Sequence, residues 1–320
     1  MKAAVVRGVG QRPVYGDFRE PAPATDDEKR ITVTAAALTQ VTKSRASGAH
    51  YSSSGQFPFV AGIDGVGRLD DGQRVYFVLP RAPYGGMAEQ TVAPLGHCLA
   101  IPDGLDDVTA AAIANPGLSS WAAYIERAHL KGGETVLVNG ATGTAGQLAV
   151  QIAKHLGAGK VIATGRNLES LRSVAALGAD VTIALGEDES TLEELFKEQF
   201  ASGVDVVIDY LWGKSAERLL IAGAKAGAEA VPIRFVQVGS VSGANITLPS
   251  AALRSSAIVL MGSGIGSIPQ ERFVAAIGSL LKATGPAGFK IATKAVPLST
   301  VEQAWDGTDS SERTVFTMGS

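Results

Sequence analysis

The chain has 320 residues, 46% apolar and 18% charged, which is enough for about two globular domains and excludes a disordered tail. Its 28 Lys and Arg residues against 31 Asp and Glu residues give a net charge of −3, without the basic surface that nucleic-acid binding needs. The single cysteine, Cys98, excludes an internal disulfide and a cysteine-based zinc cluster. With no signal peptide and no apolar run of membrane-spanning length, we expect a cytoplasmic protein without a membrane span.

The first part of the chain, to about Cys98, has a β-rich pattern. Its apolar runs are short, tend to alternate and are separated by turn residues, as in RITVTAAAL and QRVYFVL. Asp71-Gly72 lies between two such runs and predicts a hairpin, because both turn positions accept a positive φ. We therefore expect a mainly antiparallel unit. The polar stretch SGAHYSSSGQF at 47–57 is long enough to be a mobile loop beside a site.

Beyond Pro102 the apolar residues follow helical spacing, in LDDVTAAAIA and in GLSSWAAYIERAHL. From Glu134 onward, strand-like runs alternate with predicted helices, including helices at 146–156 and 168–177. This alternation predicts an α/β fold with a doubly wound, six-stranded parallel Rossmann sheet in a domain at 117–264. A helix at about 270–283 and two short strand-like segments follow. These segments are too isolated to form a domain, so we expect 265–320 to join 1–116.

A small-residue turn separates the strand TVLVNG from the helix that follows it. Residues 141–146, Ala-Thr-Gly-Thr-Ala-Gly, match the dinucleotide-binding pattern G-x-G-x-x-G with alanine at its first position. The preceding strand and the following helix are the context that this pattern requires. We expect Gly143, Thr144, Ala145 and Gly146 to hold a pyrophosphate at the helix N-terminus. A purely structural turn is the alternative.

The next strand ends in Gly165-Arg166-Asn167. An NAD-preferring site places an Asp or Glu there to bind the ribose 2′-hydroxyl. A guanidinium at that position would instead pair with a 2′-phosphate through a forked, charge-assisted contact. The sequence therefore favours NADPH over NADH as cofactor. The alternative is that Arg166 is only a solvated loop residue.

Several longer motifs resemble those of the medium-chain dehydrogenase/reductase superfamily, and within it the zinc-free, zeta-crystallin-like quinone oxidoreductases. The motifs lie at 57–67 (FPFVAGIDGVG), 84–94, 110–124, 140–158 and 204–213, so the resemblance covers nearly the whole chain. It implies a β-rich GroES-like catalytic domain at 1–116 and 265–320 beside a Rossmann NADP-binding domain. It also implies an enzyme that transfers hydride from NADPH to a quinone or another small conjugated carbonyl compound.

The resemblance further implies site residues. Thr39 stands where the quinone oxidoreductases have an Asn beside the nicotinamide, and Tyr51 matches a Tyr near cofactor and substrate. Tyr51 is the candidate catalytic residue, as a hydrogen-bond donor to the substrate carbonyl; a tyrosine that merely covers the site is the alternative. The other expected residues are Thr42 and Ser119 near substrate or nicotinamide, and Gly165, Arg166, Asn167, Gly239 and Ser240 at the cofactor.

Two further expectations come from the comparison with this superfamily. Its zinc-dependent members have Gly-His-Glu and a catalytic Cys where this chain has Gly62-Ile63-Asp64 and Leu38-Thr39-Gln40, and the four histidines lack ligand spacing, so no metal site is predicted. In related proteins the last Rossmann strand, here 257–262, pairs across a two-fold axis, which implies a homodimer.

Two other functions stay open. An enoyl-thioester or alkenal double-bond reductase would share the architecture and the hydride donor, although residues 50–60 carry no Lys or Arg for an acyl carrier. A non-catalytic NADP-binding sensor is the second alternative, because Gly140–Gly143 also resembles the short-chain and NmrA-like proteins. Tyr210 and Lys214 have the short-chain catalytic spacing, but Tyr210 directly follows a strand rather than lying on a helix.

Overall fold

The computed structural model describes residues 1–49, 55–307 and 312–319. The chain divides into two compact units, Met1–Pro116 with Val274–Ser320, and Gly117–Phe273. The second division lies at 273/274 and not at the expected 264/265. That division lies inside the helix Gln270–Ala287.

The N-terminal segment is β-rich. In chain order it contains β1 (Lys2–Val6), β2 (Val14–Asp17), β3 (Glu28–Ala37), α1 (Gln40–Ser47), β4 (Phe59–Val60), β5 (Asp64–Leu69), β6 (Arg74–Val78), β7 (Gln90–Pro94), β8 (Cys98–Ala100) and α2 (Asp107–Ala122). The turn between β5 and β6 is the predicted hairpin. Gly72 has φ +87° and its amide donates to the Leu69 carbonyl at 2.9 Å, so the sequence signal at Asp71-Gly72 is confirmed.

The predicted pair of helical segments after Pro102 is one helix. α2 runs through Pro116 and passes directly into a π-helical turn at Ala123–Ala128. An interior proline removes one backbone donor and disfavours a helix. Packing compensates here, because the residues that flank Pro116 along α2 are mostly buried.

The middle segment alternates strands with helices. It contains β9 (Thr135–Asn139), α3 (Thr144–His155), β10 (Lys160–Gly165), α4 (Leu168–Ala176), β11 (Val181–Ala184), α5 (Glu189–Ala201), β12 (Val206–Asp209), α6 (Gly213–Ala226), β13 (Ile233–Gln237), α7 (Ser250–Arg254) and β14 (Ile258–Gly262). Within the described residues these strands form a six-stranded sheet in the order β11-β10-β9-β12-β13-β14, with every neighbouring pair parallel. The predicted doubly wound Rossmann sheet is confirmed.

The sheet order explains where a ligand can bind. The chain winds outward from β9 in one direction and from β12 in the other, so the topological switch lies between these two strands. In open α/β sheets, ligands bind outside the carboxyl ends of the strands at this point. The central strands are buried on both faces, as their continuous apolar runs require.

The C-terminal segment completes the β-rich unit. It contains α8 (Gln270–Ala287), β15 (Ala292–Pro297), α9 (Val301–Ala304) and β16 (Glu312–Thr317). β16 pairs antiparallel with β3, while β15 and β16 are parallel to each other. No helix among the described residues is both long and apolar enough to cross a bilayer.

Candidate functional site

The loop between β9 and α3 packs too tightly for side chains at two of its glycines. Gly140 has φ +87°, a conformation that favours glycine. A Cβ on Gly146 would lie 2.3 Å from the Gly140 carbonyl oxygen, so this glycine lets the first turn of α3 rest on the loop backbone. Gly143 is the N-cap of α3 and provides no capping side chain. The positive end of the helix dipole is thus presented at the loop, as pyrophosphate binding requires.

A third glycine joins the loop to the neighbouring strand. A Cβ on Gly165, the last residue of β10, would lie 2.3 Å from Thr142 Cγ2. The Ala141 amide donates to the Thr164 carbonyl at 2.8 Å, which fixes the loop to the same strand. The structure therefore brings the predicted residues Gly143–Gly146 and Gly165 into one assembly.

Arg166 directly follows that assembly. Its side chain is exposed. Asn167, which was also expected at the cofactor, is the N-cap of α4, because its Oδ1 accepts from the Ser170 amide at 2.8 Å. The cap holds the turn that carries Arg166 at the end of β10.

A buried polar network underlies the glycine loop, and the sequence analysis did not find it. The Asn139 amide group donates to Asp209 Oδ1 at 2.8 Å, across the β9–β12 switch point. Asn139 Oδ1 accepts from Thr164 Oγ1 at 2.6 Å and from Ser215 Oγ at 2.9 Å. Thr164 Oγ1 in turn accepts from the Gly140 amide at 3.2 Å. The network therefore connects three strand ends and α6 to the first residue of the loop.

Asp209 also orders the turn that follows β12. Its carboxylate accepts from the amides of Leu211 at 3.0 Å and Trp212 at 3.1 Å. Trp212 has φ +57°, which is uncommon for a residue with a side chain and is held by these contacts. Burial raises the pKa of Asp209, and the hydrogen bonds from Asn139 and the two amides oppose that rise. The sequence does contain a signal for this network. Three buried strands each have a polar residue at or near the carboxyl end, namely Asn139, Thr164 and Asp209.

Tyr210 contacts one of the predicted residues. Its hydroxyl lies 3.2 Å from Ser119 Oγ, and burial raises its pKa to about 12. Gly239 packs against it, since a Cβ there would lie 2.7 Å from the Tyr210 carbonyl oxygen, and Ser240 follows in the same turn. Lys214 is 81% exposed and paired with Glu217 at 2.8 Å, which gives it an ion-pair role on the surface of α6.

The other two described residues expected near the nicotinamide lie in the β-rich unit. Thr39 is the N-cap of α1, with its Oγ1 accepting from the Thr42 amide at 3.1 Å, and the two hydroxyls are 2.9 Å apart. Thr42 lines a cavity of about 180 Å³ in this unit, which we call the Phe57 cavity; its walls include Phe57, Phe59, Ile63 and Tyr84. Tyr51, the candidate catalytic residue, lies outside the described residues.

One position of the missing zinc ligands holds a buried acid, Asp64. Asp64 is buried and accepts from the Tyr76 hydroxyl at 2.7 Å. Burial raises the pKa of Asp64 to about 6, while the Tyr76 hydrogen bond and the charge of Arg313 oppose the rise. Ile63 beside it offers no ligand atom. The donor set does not fit a catalytic zinc, and the described residues contain no group of three His, Cys, Asp or Glu side chains placed to hold a metal.

Comparisons with known proteins agree with this architecture. A family model described as zinc-binding dehydrogenase matches residues 145–282. A probable NADPH-dependent quinone reductase, tdiC of Emericella nidulans, is 30% identical over 338 aligned residues, which cover 93% of this chain and 94% of that protein. The chain belongs to the quinone oxidoreductase-like family of medium-chain dehydrogenases/reductases.

Other members of the family show its range. The quinone oxidoreductase of Thermus thermophilus, solved alone and in complex with NADPH, superposes with a TM-score of 0.82 at 26% identity and covers 99% of this chain and all of its own. The trans-enoyl reductase pgmF of Aspergillus terreus is 32% identical over 142 residues, which cover 44% of this chain and 38% of that protein. Quinone and enoyl reductases are therefore both among the relatives.

Proposed function

We propose that this protein is an NADPH-dependent oxidoreductase that transfers hydride to a quinone or another small conjugated carbonyl compound. The observation that carries the proposal is the glycine loop, which packs closely on its neighbours at Gly146 and Gly165 and begins α3 at Gly143 without a capping side chain. Membership of the family supplies the reaction class. Both the tdiC relative and the Thermus thermophilus enzyme are named as quinone reductases or oxidoreductases, and NADPH is their named cofactor.

The loop geometry supports an assignment of the residues that hold NADPH. We assign the pyrophosphate to the backbone of Gly143–Gly146 at the start of α3, where the helix dipole favours negative charge. The 2′-phosphate is assigned to Arg166, whose exposed guanidinium follows β10 with no acidic residue at the strand end. The turn at Gly239 and Ser240 is assigned to the rest of the cofactor, because it packs on Tyr210 beside the switch point.

At the acceptor, the protein has to provide a hydrogen-bond donor and hold the reacting carbons close together. Bound NADPH supplies a hydride. A conjugated acceptor that takes it up develops negative charge on its oxygen, and a hydrogen-bond donor stabilises that charge. We assign this role to Tyr51 and the surrounding contacts to Thr39, Thr42 and Ser119, on the strength of the family resemblance. Water provides the final proton, and holding donor and acceptor carbons at reacting distance supplies most of the rate acceleration.

The protein is proposed to work without zinc. Ketone reduction in the zinc-dependent relatives uses a Lewis acid, and Ile63 and Asp64 stand where its ligands would be. A quinone or enone is already electron-poor, so its reduction does not need a Lewis acid. Conjugated acceptors are thus the substrates that suit these residues.

Double-bond reduction of an enoyl compound is the second candidate. The similarity to a trans-enoyl reductase favours it, although that similarity covers less than half of either chain. The two functions share the hydride donor and differ in the acceptor.

We also propose a homodimer formed through β14. This strand is at the edge of the Rossmann sheet and exposes two apolar side chains, Val259 at 47% and Leu260 at 38%. An exposed apolar edge strand has open backbone groups that pair readily with a second strand. A two-fold axis would let β14 pair with its own copy.

A substrate panel tests the proposed function. The loss of NADPH absorbance is followed with benzoquinones, naphthoquinones, simple enones and an enoyl thioester. We expect the quinones and simple enones to be reduced, and the enoyl thioester to be a poor acceptor. The opposite ranking would favour the second candidate, and tight NADPH binding without turnover of any acceptor would favour the NADP-binding sensor.

A further inference from the structure

The Phe57 cavity contains a positive charge. Arg45 lies on α1 one turn beyond Thr42, so both side chains are on the same helix face, and both line the cavity. The side chain is half-buried, and burial lowers the pKa of its guanidinium. Among residues 1–49, 55–307 and 312–319, this guanidinium has no hydrogen-bond or ion-pair partner.

The rest of the lining leaves that charge uncompensated. No Asp or Glu occurs among the described lining residues, whose other members are apolar, aromatic or neutral. At Tyr84, on the cavity wall, Arg81 lies 5.6 Å and Arg19 lies 5.9 Å from the ring centroid. Arg81 is paired with Glu28 at 2.8 Å, and neither Arg81 nor Arg19 is among the described lining residues. Arg45 is therefore the one Lys or Arg of the described lining.

An unpaired guanidinium in a partly buried site costs solvation free energy. The C-terminal dipole of α1 favours a cation in its last turn, but it offers no atom for the guanidinium to bind. A carboxylate fits the guanidinium fork with two parallel hydrogen bonds. Beside it, the rings of Phe57 and Phe59, whose centroids are 5.4 Å apart, offer an apolar surface to a flat conjugated group.

We propose that Arg45 is a specificity-determining residue that selects conjugated acceptors carrying a carboxylate. This inference rests on the proposed function and narrows its substrate class. The volume of about 180 Å³ fits a small acceptor, because pockets for drug-sized ligands have roughly 300–1,000 Å³. The carboxylate itself does not react. Hydride adds to one carbon of the conjugated double bond, water protonates the other, and NADPH becomes NADP⁺.

A matched pair of acceptors tests this inference. 3-Benzoylacrylate and its methyl ester have the same conjugated ketone and differ in the negative charge. We expect wild-type protein to show a higher kcat/KM for the acid than for the ester. Arg45→Gln should lower the acid-to-ester ratio by about 10-fold or more, mostly through KM, because the lost hydrogen bonds bind ground state and transition state alike. Lys43→Gln removes the same charge from the same helix outside the cavity lining, and should retain the wild-type ratio.

A binding measurement separates this inference from the proposed function. Calorimetric titration with benzoate needs no turnover, and Arg45→Gln should weaken benzoate binding by about 10-fold or more relative to Lys43→Gln. If both acceptors are reduced but the ratio is the same in wild type and Arg45→Gln, the inference is wrong and the proposed function stands. If neither these two acceptors nor any quinone is reduced, the proposed function fails. Equal benzoate affinity in Arg45→Gln and Lys43→Gln would overturn the role of Arg45, whatever the turnover results.

Discussion

The Asn139 side-chain amide donates to Asp209 Oδ1 at 2.8 Å and so joins the ends of β9 and β12 at the switch point of the Rossmann sheet. The carbonyl oxygen of the same Asn139 side chain accepts from Thr164 and Ser215. The buried Asn139 side chain thus forms hydrogen bonds with three other side chains. One of them, Thr164, accepts a hydrogen bond from the Gly140 amide at the start of the loop. The position of the glycine loop is coupled to this network.

Replacing Asn139 by Leu should therefore weaken both fold and binding. The change leaves the buried carboxylate of Asp209 without its amide donor, and a buried polar group that loses its partner costs about 1–3 kcal/mol. We expect a lower free energy of urea unfolding and weaker NADPH binding in a fluorescence titration. Asn245→Leu, at an exposed position, is the control. Wild-type values for both properties in Asn139→Leu would show that the network does not support the loop.

Arg166→Ala should discriminate between the two cofactors. The variant loses one charge-assisted pair with the 2′-phosphate, so we expect its binding of NADPH to weaken by roughly 1–3 kcal/mol. NADH lacks this phosphate, and its binding should be nearly unaffected. Titration of nucleotide fluorescence measures both affinities. Arg172→Ala removes an exposed arginine from α4 and should leave the preference unchanged. Equal losses for NADPH and NADH would mean that Arg166 does not bind the 2′-phosphate.

Asp64 should make the β-rich unit less stable as the pH rises. Its pKa is about 6 in the folded protein, above its ordinary value, because burial disfavours the carboxylate. The folded state binds this proton more tightly, so the stabilisation is full below about pH 4 and is lost as the pH rises through about 6. Between these limits, wild type should lose up to about 3 kcal/mol relative to Asp64→Asn.

Urea unfolding of both proteins across that pH range measures the difference. Asp103→Asn, which changes an exposed carboxylate, should follow the wild-type profile. Parallel profiles for wild type and Asp64→Asn would contradict the assignment of the titrating group.

Tyr51→Phe tests the proposed hydrogen-bond donor. Enone reduction should slow by up to ~10²-fold, the low end for losing a general acid. Quinone reduction should suffer less, since the aromatic ring of the product already stabilises its anion. If the substitution is silent with every acceptor, Tyr51 only covers the site.

The oligomeric state is measured by light scattering. We expect twice the 32.9 kDa chain mass at micromolar concentration. A charged residue at the edge disfavours strand pairing, so Val259→Lys should shift the protein toward the monomer. A monomer mass for the wild-type protein would refute pairing through β14.

The sequence was sufficient to predict what depends on local patterns. The buried strands, the glycine loop and the Asp71-Gly72 hairpin each have a signal within a few residues. The Asn139–Asp209 contact does not, because 70 residues separate its partners and only the sheet order joins them. The continuity of α2 through Pro116 was missed because buried packing outweighs the local cost of proline.

Arg45 was missed for a related reason. Residues 50–60 carry no Lys or Arg, and their sequence alone gives no sign of a positive charge in the cavity. The cavity takes its charge from α1, which lies outside that stretch. A helix that precedes a loop can supply residues to the same cavity, and sequence distance alone does not show it.

A single-turnover experiment with chelator-treated protein tests the central claim most directly. Protein loaded with NADPH is mixed with a quinone or with an enone, and the loss of nicotinamide absorbance is recorded with ordinary NADPH and with NADPH deuterated at the transferred position. The account predicts that NADPH is oxidised only when an acceptor is present and without any metal. It also predicts that deuterium at the transferred position slows this oxidation. NADPH that stays bound and unoxidised with every acceptor, or oxidation that returns only when zinc is added, would contradict it.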